Sequence, residues 1–173
     1  QRQAWALWIG EHTTPDSELP FQMLAAATEQ GIDPTTPFAM TMAGVQALRQ
    51  GNFTAARKLT SNAREINNLD PSLDPIWAER ARMRSSAHIT PWQQGLDESI
   101  SQLNSQLQQA LQSQDFESWL YGSTVHCLAS IVRGVELSSL AGTIQQRRDY
   151  LPHDEFRYAM ALPEFCLLYT SPS

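Results

Sequence analysis

The feature that most constrains this chain is the punctuation of its helices. A residue with a short, oxygen-bearing side chain stands directly before proline at the expected helix starts Thr36-Pro37, Asp74-Pro75 and Thr90-Pro91. Such an oxygen can accept an orphan N–H of a first helical turn, and a proline one step on lacks only an N–H the helix does not need. Glycine then closes segments at Gly31, Gly51 and Gly134, where a helix commonly ends in left-handed backbone. Between these marks apolar residues recur at steps of three and four, the period of a helix packed on one side. Alanine and leucine occur 19 times each and glutamine 16 times, all good helix formers. No long alternation of apolar and polar residues occurs, and no Asn-Gly or Asp-Gly pair marks a hairpin. The chain is therefore expected to be all-α, with roughly nine helices.

Ser17 is placed to cap a helix running to about Gln30, with Phe21, Leu24, Ala25 and Thr28 on one face. Thr36 opens the next, which runs to about Gln50. Asn52 caps a third, whose stripe is Phe53, Ala56, Leu59, Ala63 and Ile66. From Trp92 the residues Leu96, Ile100, Leu103, Leu107 and Leu111 form one apolar line on a helix otherwise rich in Gln and Ser. Asp115 caps a helix carrying Phe116, Trp119, Leu120, Cys127, Leu128 and Ile131, and two more are expected near residues 136–150 and 154–162. Short loops favour antiparallel neighbours.

Charge narrows the partners. Twelve basic residues against eighteen acidic ones leave a net charge of −6, with Lys58 the only lysine. A phosphate-binding face needs clustered Lys and Arg, so no nucleic-acid partner is expected. No run reaches membrane-spanning length, and no basic-then-apolar leader opens the sequence, so a cytoplasmic location and no membrane partner are expected. Cys127 and Cys166 make neither a disulfide framework nor a zinc set. The sequence opens on Gln1 and an apolar stretch, AWALWI, and closes on CLLYTSPS, residues 166–173. That closing string reads as the translation of a transposase adapter used in sequencing libraries. The expectation is a helical-repeat domain over residues 1–165, cut from a longer chain, followed by a non-native tail.

A shift of 37 residues lays Ala26, Ile32, Asp33 and Pro34 on Ala63, Leu69, Asp70 and Pro71. Each unit is then two helices and a polar Asp-Pro break, and stacked pairs share a continuous core. Residues 37–71, PFAMTMAGVQALRQGNFTAARKLTSNAREINNLDP, carry this best. Gly44 is followed by Gly51 and then by Phe53, with Ala56 and Ala63 twelve and nineteen residues after Gly44. This segment resembles the tetratricopeptide repeat family. The resemblance makes Gly44, Gly51, Phe53, Ala56, Ala63 and Pro71 the repeat-defining positions and implies an antiparallel helix-pair solenoid. Met40 stands in place of the family's first-helix tryptophan, Thr60 in place of an aromatic, and Pro71 falls three residues late. The whole looks like the repeat regions of large bacterial regulators, and residues 116–119 (FESW) are similar to repeats beside signalling ATPases and cyclases. What this implies is a scaffold that holds a protein, a peptide or a neighbouring domain.

No glycine-rich phosphate loop, HExxH, paired CxxC or GxSxG elbow occurs, so no catalytic residue, cofactor or metal is expected. His126 and Cys127 are adjacent, point about 100° apart on a helix, and read as a buried thiol beside a partly exposed imidazole. His153-Asp154-Glu155 reads as a cap with acidic first-turn residues, and Glu11-His12 as a polar loop. Arg80 and Arg84 share a helix face and Arg82 points away; a solvated face and an acidic-partner patch are both open. Trp5, Trp8, Trp77, Trp92 and Trp119 are expected in cores, with Trp77 or Trp92 the choice for an exposed one. Helix spacing nominates Thr41, Val45, Arg49, Glu79, Arg80 and Met83 for a partner groove. The family's lysine-based grip on a C-terminal carboxylate is not expected, because Lys58 lies on a second helix. An alternative function is a small-molecule effector domain, with a pocket near Trp119, Tyr121 and His126.

Overall fold

A computed structural model of the chain describes residues 18–69 and 74–150, with Arg148 and Asp149 as helical backbone. The expectations at Ser17, Trp5, Trp8, Glu11-His12, Pro71, His153-Asp154-Glu155, the helix over 154–162 and the tail over 166–173 lie outside the described residues. Those described form eight helices and no strand. They are α1 (Leu19–Gln30), α2 (Thr36–Arg49), α3 (Phe53–Leu69), α4 (Pro75–His88), α5 (Thr90–Gln93), α6 (Leu96–Gln112), α7 (Phe116–Arg133) and α8 (Leu137–Asp149). The chain divides into two compact units, Gln1–Gln93 and Gln94–Ser173. Among the described residues no helix is long and apolar enough to cross a membrane.

The first unit is built around α2. Helices α1, α3 and α4 all pack on it, and from Thr36 to Ala47 every residue but Met40 is buried. A helix enclosed on all sides must satisfy its own polar groups. Thr41 does so by donating its hydroxyl to Pro37 O at 3.0 Å. The start of α2 differs from expectation in its capping oxygen. Thr36 lies within the helix, and the Asp33 carboxylate gathers the Thr35 N–H and the hydroxyls of Thr35 and Thr36 at 2.8–3.0 Å. Burial alone would raise the Asp33 pKa, but those hydrogen bonds hold it below the usual carboxylate value. At the other end, Asn52 N–H reaches Ala47 O and Gly51 N–H reaches Leu48 O, with Gly51 at φ +79°. This paired bonding turns the chain straight into α3, where Asn52 Oδ1 accepts from Ala55 N–H at 3.0 Å as expected.

Close approach explains which residues face inward in the α2–α3 pair. A Cβ on Gly44 would lie 3.0 Å from Thr60 Cγ2 and 3.3 Å from Ala56 O. The buried line of α3 is accordingly Ala56, Thr60, Ala63 and Asn67. Phe53 is exposed, and Leu59 and Ile66 are only half-buried, so the expected stripe sits off-centre. Helix α1 is corrected in the same way, since Pro20 and Met23 are its buried residues while Phe21, Ala25 and Thr28 are exposed. Asp74 caps α4 as expected, accepting from Ile76 N–H at 3.0 Å.

The second unit pairs α6 with α7 and lays α8 on α7. Thr90-Pro91 opens only the one-turn α5, and Gly95, at φ +96°, separates it from α6. Helix α6 therefore begins at Leu96 rather than Trp92. Its core line is Ser99, Leu103, Gln106, Leu107 and Ala110, with Leu96, Ile100 and Leu111 on the flank. Asp115 caps α7, accepting from Ser118 N–H at 3.3 Å and from the Ser118 hydroxyl. Trp119 and Cys127 are buried as expected, but Ser118, Gly122, Ser123 and Ser130 take the remaining inward positions. Phe116, Leu120, Leu128 and Ile131 are half-buried.

Candidate functional site

Unit one carries an exposed aromatic pair. The turn at Gly51 sets Phe53 at the first position of α3, and the one-turn α5 carries Trp92. Their rings meet edge-on, with centroids 6.3 Å apart and planes at 63°. Both stay in solvent, Phe53 at 55% and Trp92 at 69% exposure. They stand over a notch of about 280 Å³ that is also lined by Val45, Leu48, Arg49, Ala87 and His88. Val45 is buried beneath it, packed with Ala47, Ala56 and Ile89. Arg49 and His88 stand in the last turns of α2 and α4, where a cation complements the helix carbonyl ends. The titratable side chains lining the notch are thus basic, and no carboxylate is among them. Chemically, the notch suits an apolar side chain with an acidic neighbour.

Of the six residues nominated for a partner groove, the structure brings only Val45 and Arg49 to this notch. Thr41, Arg80 and Met83 are buried, and Glu79 is half-buried and paired with Arg82. Thr41 faces neighbouring helices because α2 is enclosed at that level, and Arg80 and Met83 lie on the buried side of α4. Arg80 and Arg84 do share a face, but at 3% and 1% exposure they form neither a solvated face nor a surface patch. Arg80 lies over the Trp77 ring, its Cζ 5.1 Å from the centroid. Trp77 in turn packs on Phe38 at 5.2 Å. A guanidinium stacked on an aromatic face is among the easier cations to bury.

The repeat-defining positions come together more fully. Gly44 meets Ala56 and Thr60, Ala63 is buried on the same line of α3, and Gly51 makes the turn before Phe53. Among the described residues Trp92 is the exposed tryptophan, whereas Trp77 and Trp119 are core. Leu48 and His88 escaped the sequence reading, because nothing in their spacing distinguishes a residue beside a helix end from a solvated one.

Unit two holds a polar cluster between α7 and α8. Arg147 is 9% exposed and follows Leu140 and Ile144 on the buried face of α8. Its Nη1 donates to Ser123 O at 3.3 Å and to Cys127 Sγ at 3.6 Å. Burial pushes the Cys127 thiol up, against the pull of the Arg147 charge, so it is a protonated thiol at neutral pH. Burial, then the same guanidinium, lowers His126 to about 4. Ser123 Oγ and His126 Nδ1 are sealed from solvent without a hydrogen-bond partner. Arg147 was missed in the sequence, although the spacing 140, 144, 147 marks it: a cation at the next apolar step belongs to the packed face.

Neither a protein-family model, nor a curated protein, nor a solved structure matches this chain.

Proposed function

We propose that this chain is a non-catalytic helical-repeat module that binds a protein or peptide partner within a larger bacterial signalling or transcription-regulatory protein. The observation that carries the binding role is the exposed Phe53–Trp92 pair over the apolar notch. Aromatic rings left in solvent at the mouth of an apolar hollow have the make-up of a binding hot spot. Basic groups at the rim, in a chain of net charge −6, select a partner segment that seats Leu, Phe or Met in the notch and sets Asp or Glu beside it. The tetratricopeptide resemblance is supported by the close approach of Gly44 to Ala56, which is where that repeat needs small residues. The cytoplasmic setting, and the absence of nucleic-acid and membrane partners, belong to the same proposal and rest on the sequence.

Display of a random peptide library on the purified chain tests this reading. Enriched peptides are expected to carry an apolar residue flanked by acidic ones and to lose enrichment on Trp92→Ala. Enrichment without that pattern, or untouched by Trp92→Ala, would count against it. The other reading, a small-molecule effector domain, is favoured by the polar cluster around Arg147 in the second unit.

A further inference from the structure

Phe53 heads a line of exposed residues on its own helix. At about 100° per residue, Phe53, Arg57, Ser61, Arg64 and Asn68 fall within about 80° of one another on α3, and all five are exposed. The line runs beside the buried one of Ala56, Thr60, Ala63 and Asn67. It begins where the Phe53 ring meets Trp92, so it starts at the notch and leads away from it along the helix. At about 1.5 Å per residue, Arg57 stands about 6 Å and Arg64 about 16 Å beyond Phe53.

The charge along this line has one sign. Glu65, the one acidic residue of α3, and Lys58 stand about 120–140° round from Phe53, where they offset each other on a different flank. The line from Phe53 carries arginine at 57 and 64 and no acid. Arg49, which lines the notch itself, extends the same sign to its mouth. This file of guanidinium groups stands in a chain with 18 acidic residues against 12 basic ones. A guanidinium takes a carboxylate through two parallel N–H bonds. The gap of about 10 Å between Arg57 and Arg64 matches about three residues of extended chain at about 3.3 Å each.

We propose that the partner segment seated in the notch continues as an extended acidic stretch along α3, placing carboxylates on Arg57 and Arg64. This rests on the notch reading and adds the partner's length and charge order: an apolar anchor, then acids over about the next six residues. A single-stranded nucleic acid is the competing polyanion, and it fits less well. The Phe53 and Trp92 rings stand at 63° to each other, so they cannot both stack on parallel bases, and a phosphate backbone brings no aliphatic side chain to the notch.

Fluorescence anisotropy of labelled synthetic peptides on the whole chain tests the proposal. Each peptide carries an Asp-Leu-Asp anchor joined either to a tail of about six glutamates, long enough to pass Arg64 when extended, or to a Gly-Ser tail of the same length. Each tail is placed after the anchor in one peptide and before it in another, so both chain directions are sampled. In one direction the glutamate tail is expected to tighten binding about fivefold, in keeping with a few exposed ion pairs. The gain should vanish at about 1 M salt, where charges are screened beyond about 3 Å. Arg57→Gln combined with Arg64→Gln should abolish the gain and leave the Gly-Ser peptides unaffected. Arg133→Gln, which removes an exposed guanidinium paired with Asp97, should change neither. A glutamate tail without gain in either direction, a gain that survives the double substitution, or tighter binding of an oligothymidylate than of the glutamate peptides would overturn the proposal. Equal binding of both tails that is still lost on Trp92→Ala would sink this extension alone, whereas binding indifferent to Trp92→Ala, or none at all, would sink the notch reading with it.

Discussion

At Gly44 the absent side chain sets how closely two helices approach. A methyl there would press on Thr60 Cγ2 and on the Ala56 carbonyl, and the carbonyl cannot swing aside. Alanine favours helix over glycine by about 1 kcal/mol, but overpacking of this kind costs about 1–3 kcal/mol. Gly44→Ala is therefore expected to lower the unfolding free energy by about 1 kcal/mol. In a Thr60→Ser background, which lacks the crowding methyl, the same change should be close to neutral. Urea unfolding of the four proteins in this cycle reads the coupling directly; simple additivity would show that the two residues do not touch. His126 sets a second expectation, with a definite sign. Its folded value of about 4 lies below the ordinary 6.5, so the unfolded chain takes up the proton first as pH falls. The stability that comes from keeping this imidazole neutral is fully present above about pH 6.5 and is lost as pH falls towards about 4. Urea midpoints measured from pH 7 to 4.5 should fall more steeply for the natural chain than for His126→Gln. Parallel slopes would show that His126 is not responsible.

Helix starts and stops are the best-specified elements. The carboxylate of Asp115 satisfies the Ser118 N–H at the entry to α7, and Asp115→Ala is expected to cost about 1 kcal/mol, measurable as a lower urea midpoint at unchanged slope. How far the sequence reads through depends on the range of the force involved. Caps at Asn52, Asp74 and Asp115 and turns at Gly51 and Gly134 are settled within a few residues, and they were legible. Burial faces are settled by neighbours distant in sequence, and they were misread wherever small or polar residues form the contact. Ser123 and Ser130 displace Leu128 and Ile131 from the inward side of α7, since hydrophobicity ranks leucine higher but close approach favours serine. Arg80 and Arg84 were misread for the complementary reason: charge suggests solvent, whereas the Trp77 ring beside Arg80 helps to accommodate its guanidinium inside. At the notch, Trp92 and the repeat position Phe53 were singled out from sequence, while Leu48 and His88 join them only through the meeting of helix ends.

For the whole molecule, the central claim is that function lies in recognition through the aromatic notch. Phe53 and Trp92 can be truncated with little loss of core because both are mainly in solvent, so binding and folding can be separated experimentally. The most direct measurement is fluorescence polarisation of a labelled peptide, chosen from the display selection, titrated with the natural chain and with Phe53→Ala, Trp92→Ala and Val132→Ala variants. Val132 is an exposed apolar residue of the second unit, 78% in solvent, and serves as the control. The account predicts that Trp92→Ala and Phe53→Ala each weaken binding about thirtyfold, in keeping with the loss of an aromatic hot spot, with circular dichroism melting unchanged and Val132→Ala without effect. Binding of equal strength in all four proteins would contradict it.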